Sequence, residues 1–146
     1  MIQRIQSLWL FLAAMLNGLL FICPLYRYNL PNQVYSPWMV ESARTYIPLF
    51  ILAAVITILP MVTIFFFGDR KRQRGMVWIC MISIASFVSV MLMRVSNLKN
   101  ANPPVSNFQY LIPGVLVTVG ALVFLLLALR GIRHDEKLVK SMDRLR

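Results

Sequence analysis

Acidic residues are scarce in this chain. Five Asp and Glu stand against fifteen Lys and Arg, and charged residues of either sign are 14% of the 146 residues, where a soluble domain carries about 25%. No carboxylate falls inside any long apolar run, which disfavours proton-coupled transport by this chain alone. There is one histidine, His134. A zinc site needs three or four ligands, so His134 reads as a solvated side chain in a charged segment, and neither metal nor cofactor is expected. The two cysteines, Cys23 and Cys80, form no CxxC pair. At helical rise their depths differ by about 20 Å, whereas a disulfide needs Cα atoms within about 7 Å, so apolar packing is the reading for both. No glycine-rich phosphate loop, GxSxG or HExxH motif occurs. No catalytic residues are expected, and the chain reads as non-enzymatic; a lipid-modifying enzyme would need a charged cluster at the interface that the sequence lacks.

What fills the chain instead is apolar sequence, 59% of it, against about 45–50% in a soluble domain. So short a chain has too little interior to hide that excess from water, and lipid is the solvent it implies. Four blocks carry it: spans of about 5–25, 46–67, 76–95 and 110–129. Each is roughly 20–22 residues, or about 30–33 Å as a helix, which matches the hydrocarbon layer of a bilayer. A helix satisfies every backbone N–H and C=O within the span. Runs such as LFILAAVI and LVFLLLAL do not alternate as strands would. The first block is longer than a signal-peptide h-region and has no A-x-A site, so it is expected to be a retained span.

The connections are short. Tyr26–Thr45 carries Pro31 and Pro37, Gly68–Gly75 reads as a tight basic turn, and Ser96–Gln109 contains the Pro103-Pro104 pair. Eleven basic residues (Arg4, Arg70, Lys71, Arg72, Arg74 and six beyond Leu129) fall on one side; four (Arg27, Arg44, Arg94 and Lys99) fall on the other. The positive-inside rule then puts both termini and the 68–75 turn in the cytoplasm. Tyr26, Tyr28, Trp38, Tyr46 and Tyr110 cluster at the outer interface, Trp9 and Trp78 near the inner one. The expected fold is all-α: a four-helix transmembrane bundle over residues 1–130, followed by a cytoplasmic amphipathic helical tail over 131–146.

Small and polar residues mark the expected packing faces: Ala14, Asn17 and Gly18 on the first span, Ser83, Ser86 and Ser89 with Ala85 on the third, Thr118, Gly120 and Ala121 on the fourth. Pro60 should kink the second span and strip one carbonyl of its partner, and Asn17 should hydrogen-bond to a neighbouring helix. The serines read as packing glue or as a substrate path; Pro60 reads as a static kink or a gate. Arg94, about one turn inside the outer end of the third span, either snorkels to the headgroups or pairs with Glu41, the one acid on that side.

The tail is the most patterned segment. As a helix, its basic residues Arg130, Arg133, Lys137, Lys140 and Arg144 fall within about 80°. Leu138, Val139, Met142 and Leu145, with Ile132, centre on the opposite side, and Asp135 falls among them. Such a two-faced helix either packs or lies on lipid through its apolar face, or docks a protein. Nucleic acid is disfavoured by the lack of an aromatic platform and by three acids that cut the tail's charge to +3, six basic residues less three acidic.

The opening MIQRIQSLWLFLAA and the closing RGIRHDEKLVKSMDRLR resemble the two ends of a family of small four-span membrane proteins of Bacteroidota, catalogued as a domain of unknown function. The resemblance spans Met1 to Arg146, and its specific part is DExLVxSxDRLR at Asp135–Arg146. It implies a bacterial inner-membrane protein and carries no activity, ligand or catalytic residue with it. The reading favoured by the residues is an accessory protein that associates with another membrane or cytoplasmic component through its bundle faces and tail. The alternative is a small oligomeric carrier or channel-like protein; homo-oligomers fit either reading.

Overall fold

A computed structural model describes residues 3–29, 38–66, 68–101 and 107–143, with side chains over 5–29, 38–66, 68–101 and 107–136. Along the chain lie α1 (Gln3–Leu19), β1 (Tyr26–Asn29), β2 (Met39–Glu41), α2 (Ile47–Phe65), α3 (Arg70–Lys99), β3 (Asn107–Tyr110) and α4 (Ile112–Asp143). The protein is mostly helical. Three helices are long and apolar enough to cross a membrane, within Ile47–Phe65, Arg70–Lys99 and Ile112–Glu136, while the apolar helix Ile5–Leu19 is shorter. The outward surface fits a membrane protein: Phe11 and Met15 on α1, Ile51 and Ile58 on α2, Ile79 and Ile82 on α3, and Val119 and Leu126 on α4 are all exposed.

Helix boundaries follow local chemistry that the apolar pattern does not report. That pattern extends the first span to Leu25, yet α1 stops at Leu19. Pro24 has no N–H and disfavours helical geometry in Cys23, and the chain leaves through tight bonds from Leu20 N to Asn17 O and from Phe21 N to Gly18 O. The 68–75 segment is not a tight turn. Asp69 accepts a hydrogen bond from Arg72 N at 3.1 Å and caps α3, so the helix starts at Arg70, about two turns before the apolar run. The fourth span and the tail are one helix through Asp143; Gly131 does not break it.

The all-α expectation also needs correcting. β1 pairs antiparallel with both β2 and β3, giving the order β2-β1-β3, with Tyr26 opposite Glu41 on one side and Tyr110 on the other. The three-stranded sheet caps one end of the bundle, where α1 and α3 end and α2 and α4 begin. The pairing continues past the strands at Leu25, whose N–H donates to Glu41 O at 2.8 Å and whose carbonyl accepts from Leu111 N at 3.0 Å, just before α4. Gly114 on α4 lies against this pairing. A Cβ there would come within 3.0 Å of the Leu25 backbone and 3.1 Å of Pro24 O, so only glycine lets the helix approach so closely.

In the bundle α1 packs on α2 and α4, α2 on α3, and α3 on α4. Leu10, Ala13, Ala53, Ile56, Ile84, Phe87 and Leu125 fill the centre. Small residues let α1 approach both neighbours: Ala14 is buried, Gly18 faces Thr57 at ordinary contact distance, and Gly120 leaves room for Leu16. Trp9 stacks on Phe124 between α1 and α4.

At the α1–α2 contact one pair of residues solves a backbone problem. Pro60 offers no N–H to Ile56 O, the carbonyl four residues earlier. Asn17 Nδ2 donates to that carbonyl at 2.9 Å, and both Asn17 and Pro60 are buried. In the wild-type background Asn17→Leu should cost about 1 kcal/mol of stability in detergent unfolding. In a Pro60→Ala background, where alanine supplies the missing N–H, the cost should shrink; equal costs in both would contradict the pairing. By the same assay Gly114→Ala should destabilise by about 1–3 kcal/mol, whereas Gly18→Ala should be nearly neutral.

Candidate functional site

The described charged side chains concentrate at the two ends of the bundle. At the sheet end the centre is Glu41, which is 5% exposed. Its strand position turns the carboxylate inward, beneath β1. Tyr26 OH donates to Glu41 Oε2, Tyr28 OH donates to Oε1 at 3.0 Å, and Arg94 Nη2 approaches Oε1 at 3.7 Å. Arg94 reaches them from the last turns of α3 and also lies over the Tyr46 ring, 4.8 Å from its centroid. Of the two expectations for Arg94, the contact seen is the one with Glu41.

With one acid at this end, Arg27 and Lys99 find aromatic faces. Arg27 lies over Trp38 at 4.5 Å and Lys99 over Phe108 at 5.1 Å, contacts worth about 0.5–1 kcal/mol where exposed. Beside them Tyr26 stacks on Tyr28 along β1, Phe108 tilts against Tyr26 across the strands, and Tyr110 meets Phe108 edge-on along β3.

At the other end α1 and the start of α3 meet the polar part of α4. Gln6 Nε2 donates to Asp135 Oδ2 at 2.5 Å, and both residues are buried. Gly131 makes this possible, because a Cβ there would stand 2.9 Å from Gln6 Cγ. Arg70 donates to the Asp135 carbonyl at 3.3 Å, and Arg74 pairs with Glu136 at 2.6 Å. Asp135 and Glu136 thus face the bundle, whereas Arg130, Arg133 and His134 are exposed.

The serines of α3 do not meet another helix through their hydroxyls. Ser83, Ser86 and Ser89 donate to the carbonyls of Ile79, Ile82 and Ala85 at 2.9–3.0 Å. Ser86, Ser89 and Ala85 are exposed, on the outward face of α3, and Ser83 is half-buried. Thr118 and buried Thr63 bond back to Gly114 O and Leu59 O in the same way. Cys80 is buried and Cys23 half-buried, and both are free. The side chains of Lys137, Leu138, Lys140, Met142, Arg144 and Leu145 lie outside the described residues, as do Pro31 and Pro37.

Among the described residues no group of three or more His, Cys, Asp or Glu could hold a metal ion. What the polar clusters offer is electrostatic fastening: one ties the sheet to α3, the other ties α1 and α3 to α4. Two features escape a reading of the sequence. The Gln6–Asp135 contact joins residues 129 apart, and its one signal is Asp135 falling on the apolar side of the tail helix. The sheet has a signal in YRYN, where buried tyrosines alternate with half-buried partners.

A family described as "Domain of unknown function (DUF4293)" matches residues 2–145. The chain belongs to this family. No curated protein and no solved structure matches it. The family supplies no activity, so the function of this DUF4293 chain has to be argued from its own geometry.

Burial first, then hydrogen bonding to and the charge of Glu41, raises the Tyr26 and Tyr28 hydroxyls above their ordinary value near 10; Arg94 offsets part of this. The folded protein therefore holds these protons more tightly than the unfolded chain. Their contribution is complete below about pH 10 and is lost as pH rises through the folded values. Tyr26→Phe should flatten the alkaline fall in stability above about pH 10, measured by thermal unfolding in detergent. Glu41→Ala should cost roughly 1–3 kcal/mol at neutral pH by stripping three donors of their acceptor. An unchanged melting profile would contradict the role given to the cluster.

Proposed function

We propose that the chain is a four-span protein of a bacterial inner membrane, with both ends in the cytoplasm, and that it acts without catalysis by associating with another membrane component. Several features support the crossing of α1. It packs on α2 and α4, its Gln6 meets Asp135 at one end, and Leu20 O accepts from Ala43 N at the other. Its two ends therefore meet the same two polar ends of the bundle as its neighbours, although the helix itself is shorter. The excess of cations at the Arg70–Arg74 end supports the orientation.

The observation that carries the association reading is the outward face of α3. Ala85, Ser86 and Ser89 are exposed there, within a helix otherwise clad in Ile82, Leu92 and Met93. Small residues gain nothing over leucine against lipid tails, but they let a second helix approach closely. The hydroxyls already have acceptors in their own helix, so the face is sterically open without being polar enough to repel a neighbour. The cytoplasmic tail would add a second point of attachment. The carrier alternative draws on the same serines. Their outward position favours contact with a neighbour over a path through a single bundle.

A photo-crosslinking amino acid placed at Ser89 in intact membranes should give a discrete adduct of fixed mass. The same group at Ile51, on the outward face of α2, should give none. Monomer alone from Ser89, or adducts of equal yield from both positions, would count against the reading.

A further inference from the structure

The outward face of α4 changes character abruptly. Leu126 and Leu127 are exposed and apolar; one turn later Arg130, Arg133 and His134 are exposed and basic. These residues line a single open hollow of about 690 Å³. Residues 126, 130 and 133 lie within about 60° of one another on the helix, and about 4–6 Å of rise separates the last exposed leucine from the first arginine, with the second about a turn beyond it. That is a step from hydrocarbon contact to cation within the thickness of a headgroup layer.

The neighbouring acids do not neutralise this face. Asp135 is buried and bound by Gln6, and Glu136 is paired with Arg74. Their carboxylates are drawn toward α1 and α3, and among the described residues neither Arg130 nor Arg133 makes an ion pair. The sequence places acids and bases at adjacent positions, but the fold sorts them, acids inward and bases outward. The result is an uncompensated pair of guanidinium groups, each able to take two phosphate oxygens, directly above an apolar surface.

We infer that this hollow is a binding site for an anionic phospholipid, with the acyl chain against Leu126 and Leu127 and the headgroup phosphate held by Arg130 and Arg133 beside His134. The inference rests on residence in a bilayer and not on association through α3. A second protein would need a larger apolar area than two leucines present. A free phosphate would leave the leucines without a role. A lipid with one negative headgroup uses both halves of the site.

The test uses the full chain in phosphatidylcholine vesicles doped with phosphatidylglycerol that carries a photoreactive group on its acyl chain. Labelling should map to the peptide containing Leu126 and Leu127 and should saturate. Phosphatidylcholine carrying the same group should label diffusely. Arg130→Gln/Arg133→Gln should weaken saturable labelling by about 30-fold, near fivefold per charge. Lys71→Gln/Arg72→Gln removes equal charge at the same end of the bundle and should leave labelling unchanged. Three results would overturn the inference: labelling indifferent to headgroup, equal loss in both double variants, or displacement by millimolar inorganic phosphate. Because the crosslink from Ser89 is scored separately, failure of either reading is distinguishable from failure of the other.

Discussion

A polar group that faces hydrocarbon has no water to fall back on, and this constraint organises the molecule. From Gly75 to Met93 on α3, and from Ile112 to Leu129 on α4, there is no charged residue; α2 has none at all. At helical rise the uncharged stretches are about 27–29 Å long. Within them the hydroxyls of Thr57, Thr63, Ser83, Ser86, Ser89 and Thr118 each donate to a carbonyl of their own helix. Where Pro60 breaks the ladder, the side chain of Asn17 completes it from the next helix. That last contact converts a local defect into an interhelical tie, so the span that carries Pro60 is also the one that α1 is fixed against.

The ends obey the opposite rule. There charges are welcome, but acids are few, and the two ends handle the shortage differently. At the sheet end one buried carboxylate serves two tyrosines and an arginine, while aromatic rings receive Arg27 and Lys99. At the opposite end both nearby acids of α4 are consumed holding it to its neighbours, and the outward arginines stay unneutralised. The sheet end thus draws Arg94 onto a carboxylate and Arg27 and Lys99 onto rings, and leaves Arg94 Nε buried without a hydrogen bond among the described residues. The α4 end presents Arg130 and Arg133 to its surroundings without an ion pair among the described residues, and the proposed lipid site rests on that.

The four apolar runs, and Asn17 as a donor to a neighbouring helix, are legible in the chain because period and composition respond directly to the solvent. Boundaries are not, because they hinge on single residues: Pro24 limits the first helix, Asp69 starts α3 early, and α4 continues unbroken through Gly131. The sheet is hidden because four-residue strands barely register as a pattern against flanking helices, and because β1 and β3 lie some eighty residues apart, as in the Arg27–Gln109 pair. The serine triplet illustrates a different limit. Its spacing identifies a common face of the helix but not whether that face turns inward or outward, which depends on how α3 sits between α2 and α4. Likewise the sorting of Asp135 and Glu136 away from Arg130 and Arg133 depends on partners contributed by α1 and α3.

The central claim is that hydrocarbon surrounds the middle of all four helices. Its most direct measurement is collision accessibility of spin labels at single cysteines, in a cysteine-free background reconstituted in vesicles. Labels at Phe11, Ile58, Ile82 and Val119 should collide readily with oxygen and be shielded from a water-soluble nickel chelate. Labels at Arg72 and Asn107 should show the reverse. Ready access of the chelate to the four middle positions would contradict the account.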